Sequence, residues 1–433
     1  MPRLFRGWWV VIGGIGIQAT LAGVLYQAYT AYVVPMMAEF GWSRTVFAGV
    51  ASLQQVELGV TGSIQGWLVD RFGARAIIRV GIVIAALGLL LVSFTQSIPW
   101  LYGSFLIASV GATLAGYLSI STAVVHWFER KRARALGLVS TGISLAGILV
   151  VVVAWSLSTI GWRATALASS IVLLVLGLPL AQLIADPPER YGLRPDGDPA
   201  PASAGQAHPP VAEPAFTLGQ VLRTPAFWLI AFGQAAALLV VASVSVHLVP
   251  AVSQALELPL QLAATAVTLM TMVSLVGQLI GGVLGDRFSK RAICALAMVG
   301  HAAGLLVLAF AVEFWMVALF ALLHGGAWGV RGPLMPAIRA DYFGRAVFGK
   351  VIGVSNLVVM LGSVAGPLIV ASLADQTGSY RLGFSVLAVL SLVGCLFFAL
   401  AAPPQPPSPP ARHPSVHPAL TPLSCRSTPP SPG

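Results

Sequence analysis

The chain has 433 residues, of which 57% are hydrophobic and 9% charged, with a mean hydropathy of +0.87. Soluble domains carry about 25% charged residues, so this composition excludes an ordinary soluble protein and indicates lipid as the solvent. A net charge of +10 is compatible with nucleic acid, but the bases are dispersed in short clusters between apolar runs and form no nucleic-acid-binding motif.

The start, Met1-Pro2-Arg3-Leu4-Phe5-Arg6, has the basic character of a leader. The apolar run from Trp8 to about residue 34 is too long for a signal-peptide core and shows no evident cleavage site, so it reads as a retained first span. A helix needs about 20 mainly apolar residues to cross the hydrocarbon core. Twelve segments meet that length, at roughly 9–33, 46–69, 76–95, 99–126, 135–158, 163–185, 226–251, 262–285, 292–311, 315–338, 350–373 and 382–402. Their length excludes barrel strands, which are nearer 10 residues and alternate in polarity. The organisation expected is residues 1–185 as an N-terminal six-helix bundle, 186–225 as a linker rich in proline, 226–402 as a C-terminal six-helix bundle, and 403–433 as a disordered Pro/Ser-rich tail.

The two bundles are related by an internal repeat. Asp70-Arg71-Phe72-Gly73-Ala74-Arg75-Ala76-Ile77 returns as Asp286-Arg287-Phe288-Ser289-Lys290-Arg291-Ala292-Ile293, with Gly66 and Gly282 four residues before each aspartate. His126-Trp127-Phe128-Glu129-Arg130 likewise parallels Asp341-Tyr342-Phe343-Gly344-Arg345. The glycines Gly66, Gly73 and Gly282 suit close helix contact and a tight turn. Asp70, and Asp286 by the repeat, can accept from a facing helix N-terminus or from an arginine, and Arg71, Arg75, Arg287 and Arg291 can bridge to neighbours. Together these residues are read as a conformational latch; basic loops that serve topology alone are the alternative.

Basic residues fix the orientation. With the N-terminus in the cytoplasm, the inner loops and tails collect twenty of the 24 Lys and Arg, Arg339 among them, while the outer loops keep Arg44, Arg163 and Arg381. Arg331 alone is left within a span. An ionised group at bilayer depth is costly and persists only toward a cavity or a partner, which singles out Arg331 and Glu57. Arg331 shares a stripe with His324, Trp328 and Met335 on the tenth segment. It is either a fork of donors for a carboxylate or sulfonate, or a group satisfied within the bundle. Glu57 shares a stripe with Gln54, Thr61 and Gln65. It is either the carrier of a coupled proton, burial favouring the neutral acid, or a hydrogen-bonded packing group. Tyr26, Tyr29, Gln54, Ser119, Thr122, Gln234, Ser243, Gln278 and Asn356 could furnish the few polar contacts of a small-molecule pocket. His247 and His301 read as packing residues.

Enzyme chemistry finds no support. Gly344-x-x-x-x-Gly349-Lys350 imitates a phosphate loop but has Val351 at the Ser/Thr position. Cys294, Cys395 and Cys425 have no metal-ligand spacing, and no cofactor is expected.

Gly66-Trp67-Leu68-Val69-Asp70-Arg71-Phe72-Gly73-Ala74-Arg75 resembles the loop between second and third spans of the major facilitator superfamily. Gly41-Trp42-Ser43-Arg44, Pro187-Pro188-Glu189-Arg190-Tyr191-Gly192 and Ala340-Asp341-Tyr342-Phe343-Gly344-Arg345 are similar to the bacterial relatives of its monocarboxylate and oxalate/formate carriers. The resemblance implies an all-α membrane protein of twelve helices in two pseudo-symmetric bundles, a monomer in the inner or plasma membrane with both termini cytoplasmic. It implies secondary transport of a small solute, an organic carboxylate anion, by alternating access, for which the buried Glu57 read above is a candidate carrier of a coupled proton. It also implies an arginine in the eighth span, where this chain has Gln278, and a lysine in the first or eleventh, of which the first has no basic residue. An exporter of neutral or cationic hydrophobic compounds is one alternative, and a non-transporting membrane sensor that signals through its tail is another.

Overall fold

The computed structural model describes residues 5–197 and 216–405; the middle of the expected linker and the tail from residue 406 lie outside the described residues. Helices carry nearly all of the described chain. They are α1 (Arg6–Phe40), α2 (Arg44–Phe72), α3 (Ala74–Ser93), α4 (Ile98–Trp127), α7 (Pro225–Leu256), α8 (Thr265–Arg287), α9 (Lys290–Ala309), α10 (Phe314–Phe343), α11 (Phe348–Thr377) and α12 (Tyr380–Leu400). Between α4 and α7 one helical stretch, Arg132–Leu183, breaks at Gly161 (φ 79°, ψ 167°). That backbone is open to glycine and strained for other residues, and it turns 52 residues into two antiparallel crossings, α5 (132–160) and α6 (162–183). All twelve expected spans are present. Only α2 is not apolar enough by composition to register as a membrane helix, because it carries Gln54, Gln55, Glu57 and Gln65.

The helices pack as two lobes of six. Within the first lobe α1 lies along the Arg132–Leu183 stretch and α3 on α4; within the second α7 lies on α11 and α9 on α12. Outer faces are apolar, with Val175, Leu296, Leu361, Leu368 and Val389 exposed, as expected where lipid is the solvent and backbone polar groups are satisfied inside each helix. The repeat extends to irregularities. α4 breaks at Gly116 and α10 at the equivalent Gly332–Pro333; the π-turns at Ala22–Tyr26 of α1 and Ala321–Gly325 of α10 lie on helices that the repeat does not pair. The linker's described ends are docked: Tyr191 stacks under the Arg6 guanidinium, and the Asp196 carboxylate accepts from the backbone N–H groups of Glu129 and Arg130.

The lobes meet along two symmetry-related seams, α2 with α11 and α5 with α8. At the first seam the backbone of Gly66 approaches Gly349 so closely that a Cβ on Gly66 would stand 2.1 Å from the Gly349 carbonyl oxygen. The same contact recurs at the second seam, where a Cβ on Gly282 would lie 2.9 Å from Cα of Arg134. Such contact needs residues without a side chain. Beside each glycine a carboxylate crosses the seam. Asp70 accepts from the Gly349 and Lys350 N–H groups at 3.2 and 3.1 Å, and Asp286 from those of Ala133 and Arg134 at 2.9 and 3.3 Å. Each aspartate thus caps the N-terminus of a helix in the opposite lobe, where amides lack intrahelical partners and the dipole favours negative charge.

The arginines of the expected latch behave differently. Arg75 donates to the Ile184 and Gln182 carbonyls of its own lobe, Arg71 lies over Trp67 and Phe72, Arg287 is exposed and Arg291 half-buried on its own lobe. A basic cross-lobe bridge comes instead from Arg132, which reaches Asp341 at 2.5 Å, with Lys290 on the other oxygen at 2.7 Å. These contacts lie in the half of the seam helices nearer the Asp-Arg loops and close that end of the molecule. Replacing Asp70 or Asp286 by Ala removes two bonds to a charged acceptor, and we expect each change to lower the closed-to-open ratio about tenfold or more. Spin-label distances across the α2–α11 seam read this shift, and unchanged distances in the Asp70→Ala, Asp286→Ala double variant would contradict the capping role.

Candidate functional site

A cavity of about 430 Å³ lies between the lobes, within the size range of small-molecule sites. Both lobes build it, and the breaks in the helices shape it. Tyr26 ends the π-turn of α1, and Gly116 and Gly332 mark the interruptions of α4 and α10; all three line the space. At the α4 break the two N–H groups of Gln65 Nε2 are shared among the carbonyls of Thr113 (2.7 Å) and Leu114 (3.2 Å) and Ser119 Oγ (2.8 Å), adding to the Gly116 N–H and Ser119 hydroxyl that those carbonyls also accept from. Gln65 lies at the wall and locks the interruption in place.

The polar lining includes Gln18, Tyr26, Gln27, Tyr117, Gln234 and Asn356, with one formally charged side chain, Arg339. Leu21, Leu58, Met335 and Ile352 supply apolar wall. Arg339 is 5% exposed, and its guanidinium donates to Ser355 Oγ at 2.7 Å and to the Met335 carbonyl at 3.2 Å. The sequence count assigned Arg339 to a loop, because apolar residues run out at Ile338. In the structure α10 continues to Phe343, so Arg339 lies inside the bundle. A helical stripe could have revealed it: Gly332, Met335, Pro336 and Arg339 recur at i, i+3, i+4 and i+7 and all line the cavity.

Arg331 lies elsewhere. Eight residues advance a helix by about 80° beyond two full turns, and the Gly332–Pro333 interruption separates the two arginines further. Arg331 is 1% exposed, outside the lining, and its Nη1 donates to Oε1 of Gln234 on α7, while its Nε has no hydrogen-bond partner. His324 also turns from the cavity. Its Nδ1 is 3.1 Å from Nδ1 of His301 on α9, and its ring stacks on Phe320. Trp328, on the same stripe, packs into the apolar core of the second lobe. The stripe through Arg331, His324 and Trp328 therefore faces helices of its own lobe, since α10 is surrounded by α8 and α9 there.

Of the other expected pocket residues, Tyr26, Gln234 and Asn356 reach the cavity. Tyr29 donates to the Phe47 carbonyl at 2.6 Å and packs edge-on to Phe105. Ser119, Thr122 and Ser243 are spent on backbone carbonyls. Gln54 is half-buried outside the lining, and Gln278 sits at the α5–α8 seam, its carbonyl against Gly137. Glu57 is 6% exposed and neighbours the lining residue Leu58, but its side chain turns about 100° away toward α4. There its Oε2 accepts from Ser109 at 2.6 Å and Thr113 at 3.1 Å, while Oε1 has no hydrogen-bond partner. Thr113 lines the cavity, which places Glu57 one side chain behind its wall. Among the described residues no cluster of His, Cys, Asp and Glu could hold a metal ion.

The Major Facilitator Superfamily model matches residues 15–264 and 230–431. Human monocarboxylate transporter 11 is 28% identical over 422 residues, covering 90% of this chain and 82% of its own. The oxalate:formate antiporter of Oxalobacter formigenes is 23% identical over 405 residues, covering 91% and 90%. Among solved structures, the Escherichia coli fucose:proton symporter superimposes with a TM-score of 0.69 at 16% identity over 91% of this chain and 98% of its own. The human organic anion transporter MFSD10 does so with 0.66 at 15% over 92% and 100%. These structural likenesses carry the fold, and the family match carries the class: this chain is a multi-pass membrane transporter, not an enzyme, and belongs to the Major Facilitator Superfamily.

Proposed function

We propose that the protein carries a small organic carboxylate across the membrane by alternating access, with Arg339 as its anchor. The observation that carries this reading is the charge of the lining: among the described residues, one arginine and no acid. An arginine presents planar, permanently charged donors in the geometry of a carboxylate, and in a cavity walled by low-dielectric protein it attracts anions and repels cations. The short apolar wall formed by Leu21, Leu58, Met335 and Ile352 suits a small hydrocarbon substituent beside that carboxylate. Relatives named as monocarboxylate transporters and an oxalate:formate antiporter support the same class.

The asymmetry of basic residues places the Asp-Arg loops in the cytoplasm of a cell bounded by this membrane. On that orientation the form described here is closed inward, and the chain acts as a monomer in the plasma membrane with both ends inside. Glu57 is the site we assign to a coupled proton: it is buried, unpartnered at one oxygen, and joined to the cavity wall through Thr113.

Uptake of radiolabelled acetate, pyruvate, lactate and oxalate into proteoliposomes tests both assignments. Arg339→Gln should raise the KM for the preferred carboxylate at least about tenfold, the loss expected for bonds to a charged partner; uptake of neutral or cationic compounds in place of all four anions would instead support the exporter reading. Glu57→Gln should abolish accumulation driven by a pH gradient while retaining exchange of carboxylate against carboxylate. Intact proton-driven accumulation in that variant would remove Glu57 from the coupling.

A further inference from the structure

Arg331 is buried, charged and absent from the cavity lining, yet its one hydrogen bond among the described residues leads there. Its Nη1 bonds Oε1 of Gln234, and Gln234 lines the cavity. The direction of that bond follows from chemistry. Guanidinium has donors and no acceptor, so the atom it meets on an amide is the oxygen. With Oε1 held toward α10, the amide's –NH2 is the end left for the cavity. A free glutamine in a pocket could show a substrate either its acceptor or its donors; Gln234 is held to the second.

We infer that Arg331 is a positioning residue, which fixes the Gln234 amide so that its –NH2 becomes a second recognition point for the carboxylate anchored at Arg339. This rests on the carboxylate reading of the cavity. It accounts for a buried arginine that does not itself reach the substrate, and it joins α10 to α7 behind the wall. A carboxylate has two oxygens and about four lone-pair sites, more than Arg339 alone serves when two of its nitrogens are engaged by Ser355 and Met335. Donors on both α7 and α10 suit that demand, whereas an amide oxygen in the same place would repel it. The arrangement also discriminates by charge, because the cavity then shows anions donors at both points.

The test uses the full-length protein in proteoliposomes and whichever of acetate, pyruvate, lactate and oxalate shows the greatest Arg339-dependent uptake. Gln234→Leu removes the donors, and we expect KM to rise about tenfold with maximal rate largely kept. Gln234→Glu keeps the bond to Arg331 and the packing but turns an acceptor with negative charge to the cavity, and should raise KM further. Arg331→Met should raise KM as Gln234→Leu does, with Arg331→Lys, which retains a donor, partly restoring it. The deciding measurement is the cycle: if Arg331 acts through Gln234, adding Arg331→Met to Gln234→Leu changes KM no further. Additive effects, or a fall in maximal rate at constant KM, would overturn the positioning role and leave a packing role. Should Gln234→Glu keep the wild-type KM, the donor assignment is wrong even if Arg331→Met fails to fold. Absence of Arg339-dependent uptake for all four compounds would instead defeat the carboxylate reading itself, and this inference with it.

Discussion

Each lobe places a carboxylate on the bare amides at the start of a helix in the other lobe, and the rest of the architecture depends on this reciprocal contact. Asp70 on α11 and Asp286 on α5 sit where unsatisfied N–H groups and the helix dipole both favour negative charge. Neither bond is long-range or strong in itself. Their effect comes from position, because glycines at 66 and 282 let the backbones touch and bring those amides within reach. When the contacts hold, one end of the space between the lobes is shut and a cavity remains above it. Apolar packing runs across the lobes beside these contacts, from Val139 and Leu136 to Leu334 and Phe348, whereas a second core cluster around Val244, Leu305 and Phe384 lies wholly in the second lobe.

The cavity shows a second use of irregular backbone in a setting that otherwise forbids it. In hydrocarbon a helix that breaks must have its freed carbonyls satisfied, and the interruptions at Gly116 and Gly332 lie against protein and the polar space. Gln65 answers three acceptors around the first interruption, so a residue that looks like a pocket group is in large part structural. Arg331 and Glu57 follow the same logic. Both are buried ionisable groups held by neutral polar partners one layer behind the lining, Gln234 in one case and Ser109 with Thr113 in the other. Among the described residues the space itself is left with a single charged side chain, Arg339, and the selectivity proposed for it arises from that economy.

Much of this was legible before any coordinates. Length and apolarity located the twelve spans, with ends off by up to seven residues, since crossing a bilayer demands that length, and the Asp-Arg repeat announced two related lobes. The motif left a facing helix N-terminus and an arginine both open as partners of the aspartates, and in the structure Asp70 and Asp286 accept from helix N-terminal amides. The arginines of the same motif were expected to join them, but Arg71 and Arg75 spend themselves on rings and carbonyls of their own lobe. A flexible, permanently charged side chain at a helix end has many acceptors nearby, and sequence does not rank them.

The sequence by itself determined the class of solvent, the number of crossings, the duplication and the residues able to bring two backbones together, because these follow from composition, periodicity and the absence of a side chain. Tertiary structure alone decided which charge faces the cavity. Arg331 and Arg339 lie eight residues apart on one helix, and hydropathy ranked the first as buried in a span and the second as a loop residue. Their true roles depend on how far α10 continues and how it turns at Gly332–Pro333, and on which side α7 meets it. Those are properties of neighbours packed from the far side of the lobe, and no local stretch of sequence contains them.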